Sequence, residues 1–128
     1  MSIEVNDIPA EYQADVTATV RGRRSLINKL EVFRETSGAH YDRLHNVLVS
    51  KQSDYGPGNI ASAPGGAING LLVRMNDKMQ RLINLNYNQA LEASNESIRD
   101  SYEDLANYCV IALMVLDGEW EGVTDGNQ

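Results

Sequence analysis

The sequence predicts an all-α fold, a single-domain helical bundle of about four main helices with a Gly/Pro-rich connecting loop. Three observations predict it. Apolar residues recur at three- and four-residue steps along most of the chain, the period of a helix with one buried face. Alternation of the strand type occurs only briefly, at Val16-Thr17-Ala18-Thr19-Val20. Five glycines and two prolines fall between Gly56 and Gly70, so the strongest helix breakers are gathered in one connector.

The elements follow in order. Residues 1–24 read either as a helix opened by Asp7-Ile8-Pro9, with Tyr12, Val16 and Val20 on one face, or as a loose arm. From Ser25, the side chains Leu26, Ile27, Leu30 and Phe33 suit an amphipathic helix closed by Ser37-Gly38. A second helix over 39–53 carries Tyr41, Leu44, Val47 and Leu48 on one side, and the glycine loop follows. A third helix spans about Ile68–Leu85, with Leu72, Met75, Met79 and Ile83 as its apolar side. After a polar break at 84–88, a fourth helix covers Ile98–Leu116 and ends at Asp117-Gly118. Its last turns, Tyr108 to Leu116, are apolar all round, which predicts burial on every side and, in a chain this small, a second subunit. Residues 118–128 are expected to fray.

A chain of 128 residues has room for one domain, and 42% hydrophobic with 23% charged residues is ordinary for a globular protein. Eighteen acids against eleven bases leave a net charge of −7, which disfavours duplex DNA and anionic membrane as partners. The single cysteine, Cys109, excludes an internal disulfide and, within its apolar run, reads as a core residue rather than a nucleophile. No apolar run reaches membrane-spanning length and no signal core follows Met1, so the expected location is cytoplasmic, in the host cell if the chain is phage-encoded.

The charge is unevenly placed. Residues 1–85 hold nine acids and ten bases, whereas residues 86–128 hold nine acids and one base, Arg99. A helix turns roughly 100° per residue, so Glu96, Asp100, Glu103, Asp104 and Asn107 fall within about 100° of arc on the fourth helix. Arg74, Asp77, Lys78 and Arg81 cluster similarly on the third. Like charges one turn apart repel, so the acidic stripe calls for a cation. Two solvated faces, or two stripes paired only with each other, would account for the pattern. A functional alternative is a polar pocket in which carboxylates hold Mg²⁺ and the basic wall neutralises nucleotide phosphates. Trp120 either caps the core or stacks on a base, and Tyr55 in the glycine loop is the better stacking candidate or an aromatic plug. Gly65 and Gly70 have P-loop spacing, but Leu71-Leu72 stand where Lys and Ser/Thr are needed, and His40 and His45 do not share a helical face.

Three segments in order resemble the nucleotide modification associated domain family of phages and bacteria. They are Lys51-Gln52-Ser53-Asp54-Tyr55-Gly56, the helix Val73–Leu82 with Lys78-x-x-Arg81, and Asp100-x-x-x-Asp104-x-x-Asn107-Tyr108. The resemblance covers about residues 41–117 and implies an all-α fold with a role in nucleotide metabolism. The third segment is also similar to the metal helix of MazG-like nucleoside triphosphate pyrophosphohydrolases, which pair one Glu-x-x-Glu with one Glu-x-x-Asp. Here the first pair has no counterpart: Glu31 and Glu35 are spaced by four, and only Asp54 and Asp77 remain as acids that could face the stripe.

The resemblance implies a small-molecule nucleotide as partner and a homo-oligomer as assembly. As an enzyme, the chain would hold Mg²⁺ on Glu96, Asp100, Glu103 and Asp104, with Asp100 and Asp104 carrying catalysis. Arg74, Lys78 and Arg81 would then hold phosphates, and Lys51, Tyr55 and Asn107 would contact the rest of the nucleotide. The alternative is a non-catalytic binder that sequesters a nucleotide-derived immune signal, a phage counter-defence role that needs no metal.

Overall fold

A computed structural model describes residues 9–88 and 97–123. The described residues form helices and turns, with no strand among them, as the periodicity predicts. Helix α1 is Ala10–Tyr55, α2 is Gly58–Ala61, α3 is Ala67–Tyr87 and α4 is Ile98–Leu116. No helix is long and apolar enough to cross a membrane. The chain divides into two units, residues 1–41 and residues 42–128.

In the first unit, Ser37-Gly38 does not end a helix. Thr36 Oγ1 donates to the carbonyls of Val32 at 2.9 Å and Phe33 at 3.1 Å, and Ser37 Oγ donates to Arg34 O at 3.2 Å. The hydroxyls are thereby satisfied on the helix itself and do not compete with it. Gly38 keeps a negative φ, and one glycine inside a helix costs only about 1 kcal/mol relative to alanine. The predicted apolar face of this stretch is not a core: Leu26, Ile27, Leu30 and Phe33 are all exposed.

The second unit contains the core. Ile60 from α2, Ala67 and Leu71 from α3, Ile111 and Val115 from α4, and Trp120 and Val123 beyond it form one buried cluster. Leu48 of α1 and Tyr108 of α4 pack against it. The glycine connector serves this packing. A Cβ on Gly70 would stand 2.5 Å from Ala63 Cβ, so only glycine lets the start of α3 approach the preceding turn. Its N–H bonds Gly66 O at 3.0 Å.

At the C-terminal end, α4 stops in a defined turn. Gly118, at φ +71, closes α4 with a Schellman pair: its N–H bonds Val115 O at 3.1 Å, and Glu119 N–H bonds Met114 O at 2.8 Å. Residues 119–123 turn back, and the Trp120 indole donates to Pro57 O at 3.1 Å, while 124–128 of the expected frayed tail lie outside the described residues. Within this chain alone, α4 is covered on one face. Ser101, Asn107, Ile111 and Val115 face inward, while Cys109, Val110, Leu113 and Leu116 are exposed. Within this chain Cys109 lies on the face of α4 that its neighbours leave uncovered.

Candidate functional site

Three helices each turn a face with helical spacing towards one cavity of about 260 Å³. From α1 come Leu48, Lys51, Gln52 and Tyr55; from α3, Arg74 and Lys78; from α4, Asp104, Asn107, Tyr108 and Ile111. The steps of three and four residues place each set on one side of its helix. Asn59 and Ile60 of α2 and Trp120 complete the lining. Ile60, Ile111 and Trp120 belong to the core, so the floor of the cavity is fixed by packing.

Among the described residues, Asp104 is the only carboxylate in this lining. Its Oδ1 accepts from Lys51 Nζ at 2.6 Å and its Oδ2 lies 3.1 Å from Lys78 Nζ. One side chain of α4 thus ties α1 to α3 through both oxygens. Partial burial alone would raise the Asp104 carboxyl, but the hydrogen bonds and charges of Lys51 and Lys78 outweigh it and hold the group below its ordinary 3.8. Lys51 mirrors this: burial would lower its ammonium, and the bond to Asp104 with its charge leaves it raised above 10.5. Lys51 and Asp104 are therefore both charged at neutral pH. Arg74 adds a third cation, oriented by a 3.3 Å bond from Nη2 to Asn59 O.

The structure brings together Lys51, Tyr55, Arg74, Lys78, Asp104 and Asn107 from the sequence candidates. Asn107 is 6% exposed, and its Nδ2 donates to Leu44 O at 3.1 Å, so it ties α4 to α1 at the cavity wall. Tyr55 stands 71% exposed at the rim. Three candidates lie elsewhere. Arg81 donates to Ser101 Oγ at 2.7 Å. Glu103 is buried and receives Arg43 Nε at 3.2 Å and Arg99 Nε at 2.9 Å. Asp100 is exposed in the first turn of α4, where its N–H is capped by Ser97 Oγ at 3.0 Å. Glu96 lies outside the described residues.

The carboxylates of α4 thus have three separate environments: a helix start for Asp100, an arginine pair for Glu103 and a lysine pair for Asp104. Asp54 and Asp77 are exposed. Among the described residues no three His, Cys, Asp or Glu side chains gather around one point. Mg²⁺ favours oxygen ligands in octahedral array, whereas both oxygens of Asp104 face ammonium groups, so the described donor set does not fit a resident Mg²⁺. Nor do the described acids form two facing pairs of the MazG type.

Sequence reasoning missed Gln52 and Asn59 as lining residues. Gln52 was legible as the neighbour of Lys51 on the Leu48–Tyr55 face, but Asn59 reaches the cavity only because α2 folds under it. The partners of Glu103 were half legible, since Arg99 precedes it by one helical turn. Ser97-x-x-Asp100 has the spacing of a helix start, the signal that separates Asp100 from the stripe.

A family model described as nucleotide modification associated domain 1 matches residues 51–116. That span contains every residue lining the cavity except Leu48 and Trp120. No curated protein and no solved structure matches the chain.

Proposed function

The chain belongs to the nucleotide modification associated domain 1 family, and from that membership and the cavity's chemistry we propose that it binds a nucleotide by its phosphate. One observation carries this reading: Lys51, Lys78 and Arg74 line a single cavity beside only one carboxylate. Three cations gathered from two helices repel one another, and Asp104 offsets only part of that repulsion. An anion entering the cavity relieves the rest. Lysines offer point charges and Arg74 a planar fork, the usual pairing for phosphate oxygens. Tyr55 at the rim gives a face for a base, while Gln52 and Asn59 offer amides to its polar edge.

In this reading Asp104 positions the two lysines and is neither a metal ligand nor a catalytic residue. Binding, rather than Mg²⁺-dependent hydrolysis, is the function, and sequestration of a nucleotide is the form it takes. The test is a panel of nucleotides assayed by thermal shift and by product analysis, each with and without Mg²⁺. Metal-independent stabilisation without product is the expected result. Turnover that requires Mg²⁺ would replace the binder with a hydrolase, and no shift with any nucleotide would remove both.

A further inference from the structure

The cavity's charge and size narrow the ligand class. From Asp42 onward the chain has six Lys and Arg side chains: Arg43, Lys51, Arg74, Lys78, Arg81 and Arg99. Arg43 and Arg99 are committed to Glu103, and Arg81 to Ser101. Three cations therefore line the cavity, and with Asp104 they leave it two positive charges in excess. Both ammonium groups are held by the two oxygens of Asp104, at 2.6 and 3.1 Å, so their charges stand close together in one wall of the cavity. The volume, about 260 Å³, lies just below the range of roughly 300–1,000 Å³ typical of small-molecule sites.

Resting on the phosphate-binding reading above, we infer that the site is built for a nucleoside monophosphate, one dianionic phosphoryl group held between Lys51, Lys78 and Arg74. A phosphate monoester carries about −1.5 to −2 charges at pH 7, which matches the excess. Each further phosphate brings negative charge for which no additional cation lines the cavity. Tyr55 and the amides of Gln52 and Asn59 then lie on the side left for sugar and base.

The test is calorimetric titration of the full chain at pH 7.5 without metal. The ligands are the deoxynucleoside 5′-monophosphates, their di- and triphosphates, the free nucleosides, and the methyl ester of the monophosphate, which stays a monoanion. The monophosphate of the preferred base should bind at least about tenfold more tightly than its nucleoside. It should match or exceed the triphosphate, and the methyl ester should bind more weakly than the free monophosphate. Affinity for the monophosphate should also fall between pH 7.5 and pH 5, as its second ionisation is lost near pH 6. A triphosphate that binds more tightly than the monophosphate overturns this inference and leaves the phosphate-binding reading standing. Failure of every nucleotide to bind overturns both.

Discussion

Lys78 of α3 and Asp104 of α4 form an ion pair of 3.1 Å in the wall of the cavity, and the second oxygen of the same carboxylate holds Lys51 of α1. The pair therefore joins two roles. It closes the polar side of the α3–α4 packing, and it sets the position of the cations that face the cavity. Removing the carboxylate should separate those roles.

Asp104→Asn removes the one negative charge in the lining. Nucleotide affinity should rise several-fold, since one charge near a bound anion is worth on the order of 1 kcal/mol under partial solvent screening. Thermal stability should fall, because two lysines are left facing each other. Calorimetry and melting curves on the same preparation check both signs. Loss of binding together with loss of a Mg²⁺-dependent activity would assign Asp104 to a metal instead.

The pH dependence of stability follows from the same contacts. The Asp104 carboxyl is depressed below 3.8 in the fold, so its contribution is present above that value and is lost as pH falls through the lower folded value. The Lys51 ammonium is raised above 10.5, so its contribution is present below that value and is lost as pH rises through the folded one. The difference in melting temperature between wild type and Asp104→Asn should therefore be largest between these limits and shrink at strongly acidic pH. A difference that stays constant down to pH 2 would mean that the ion pair is not its source.

Glu103→Gln should lower stability by about 1–3 kcal/mol, since it removes the charge that Arg43 and Arg99 share at a site only 8% exposed. Ligand affinity should stay within about twofold, because Glu103 is not in the cavity lining. Denaturant melts and calorimetry on this variant would reveal a ligand role if affinity collapsed while the fold survived.

Gly70→Ala should destabilise the protein by about 1–3 kcal/mol through the contact with Ala63, even though alanine is the better helix former. Ala63→Gly in the same chain should recover most of the loss. An unaltered melting temperature in the single variant would show that the connector shifts freely and that its packing does not set the cavity floor.

Trp120→Ala should cost about 3–5 kcal/mol, the usual penalty for deleting a buried aromatic side chain. Trp120→Phe should cost less, because it keeps most of the ring and loses the bond to Pro57 O. Near-UV circular dichroism and denaturant melts report both.

These contacts also mark what the sequence could convey. The α-helical class, the bounds of α4 and the gathering of Lys51, Tyr55, Lys78, Asp104 and Asn107 were legible, because helical spacing and segment order are written into the chain. The path of α1 through Ser37-Gly38 was not. Local hydroxyl bonds decided it, and those leave no periodic signal. The acidic stripe was legible as a stripe but not as three environments, since the partners of Asp104 and Glu103 stand on other helices. Trp120 was legible as an aromatic after a helix end, but its burial depends on the turn at Gly118.

In the proposed function Lys51 and Lys78 bind a nucleotide's phosphate. The most direct test is calorimetric titration of the preferred nucleotide into wild type and into Lys51→Ala/Lys78→Ala, with circular dichroism confirming that the variant is folded. Loss of two charge-assisted contacts, each worth about 1.5–3 kcal/mol, predicts at least about a hundredfold weaker binding in the variant. Equal affinity in the two folded proteins would contradict it.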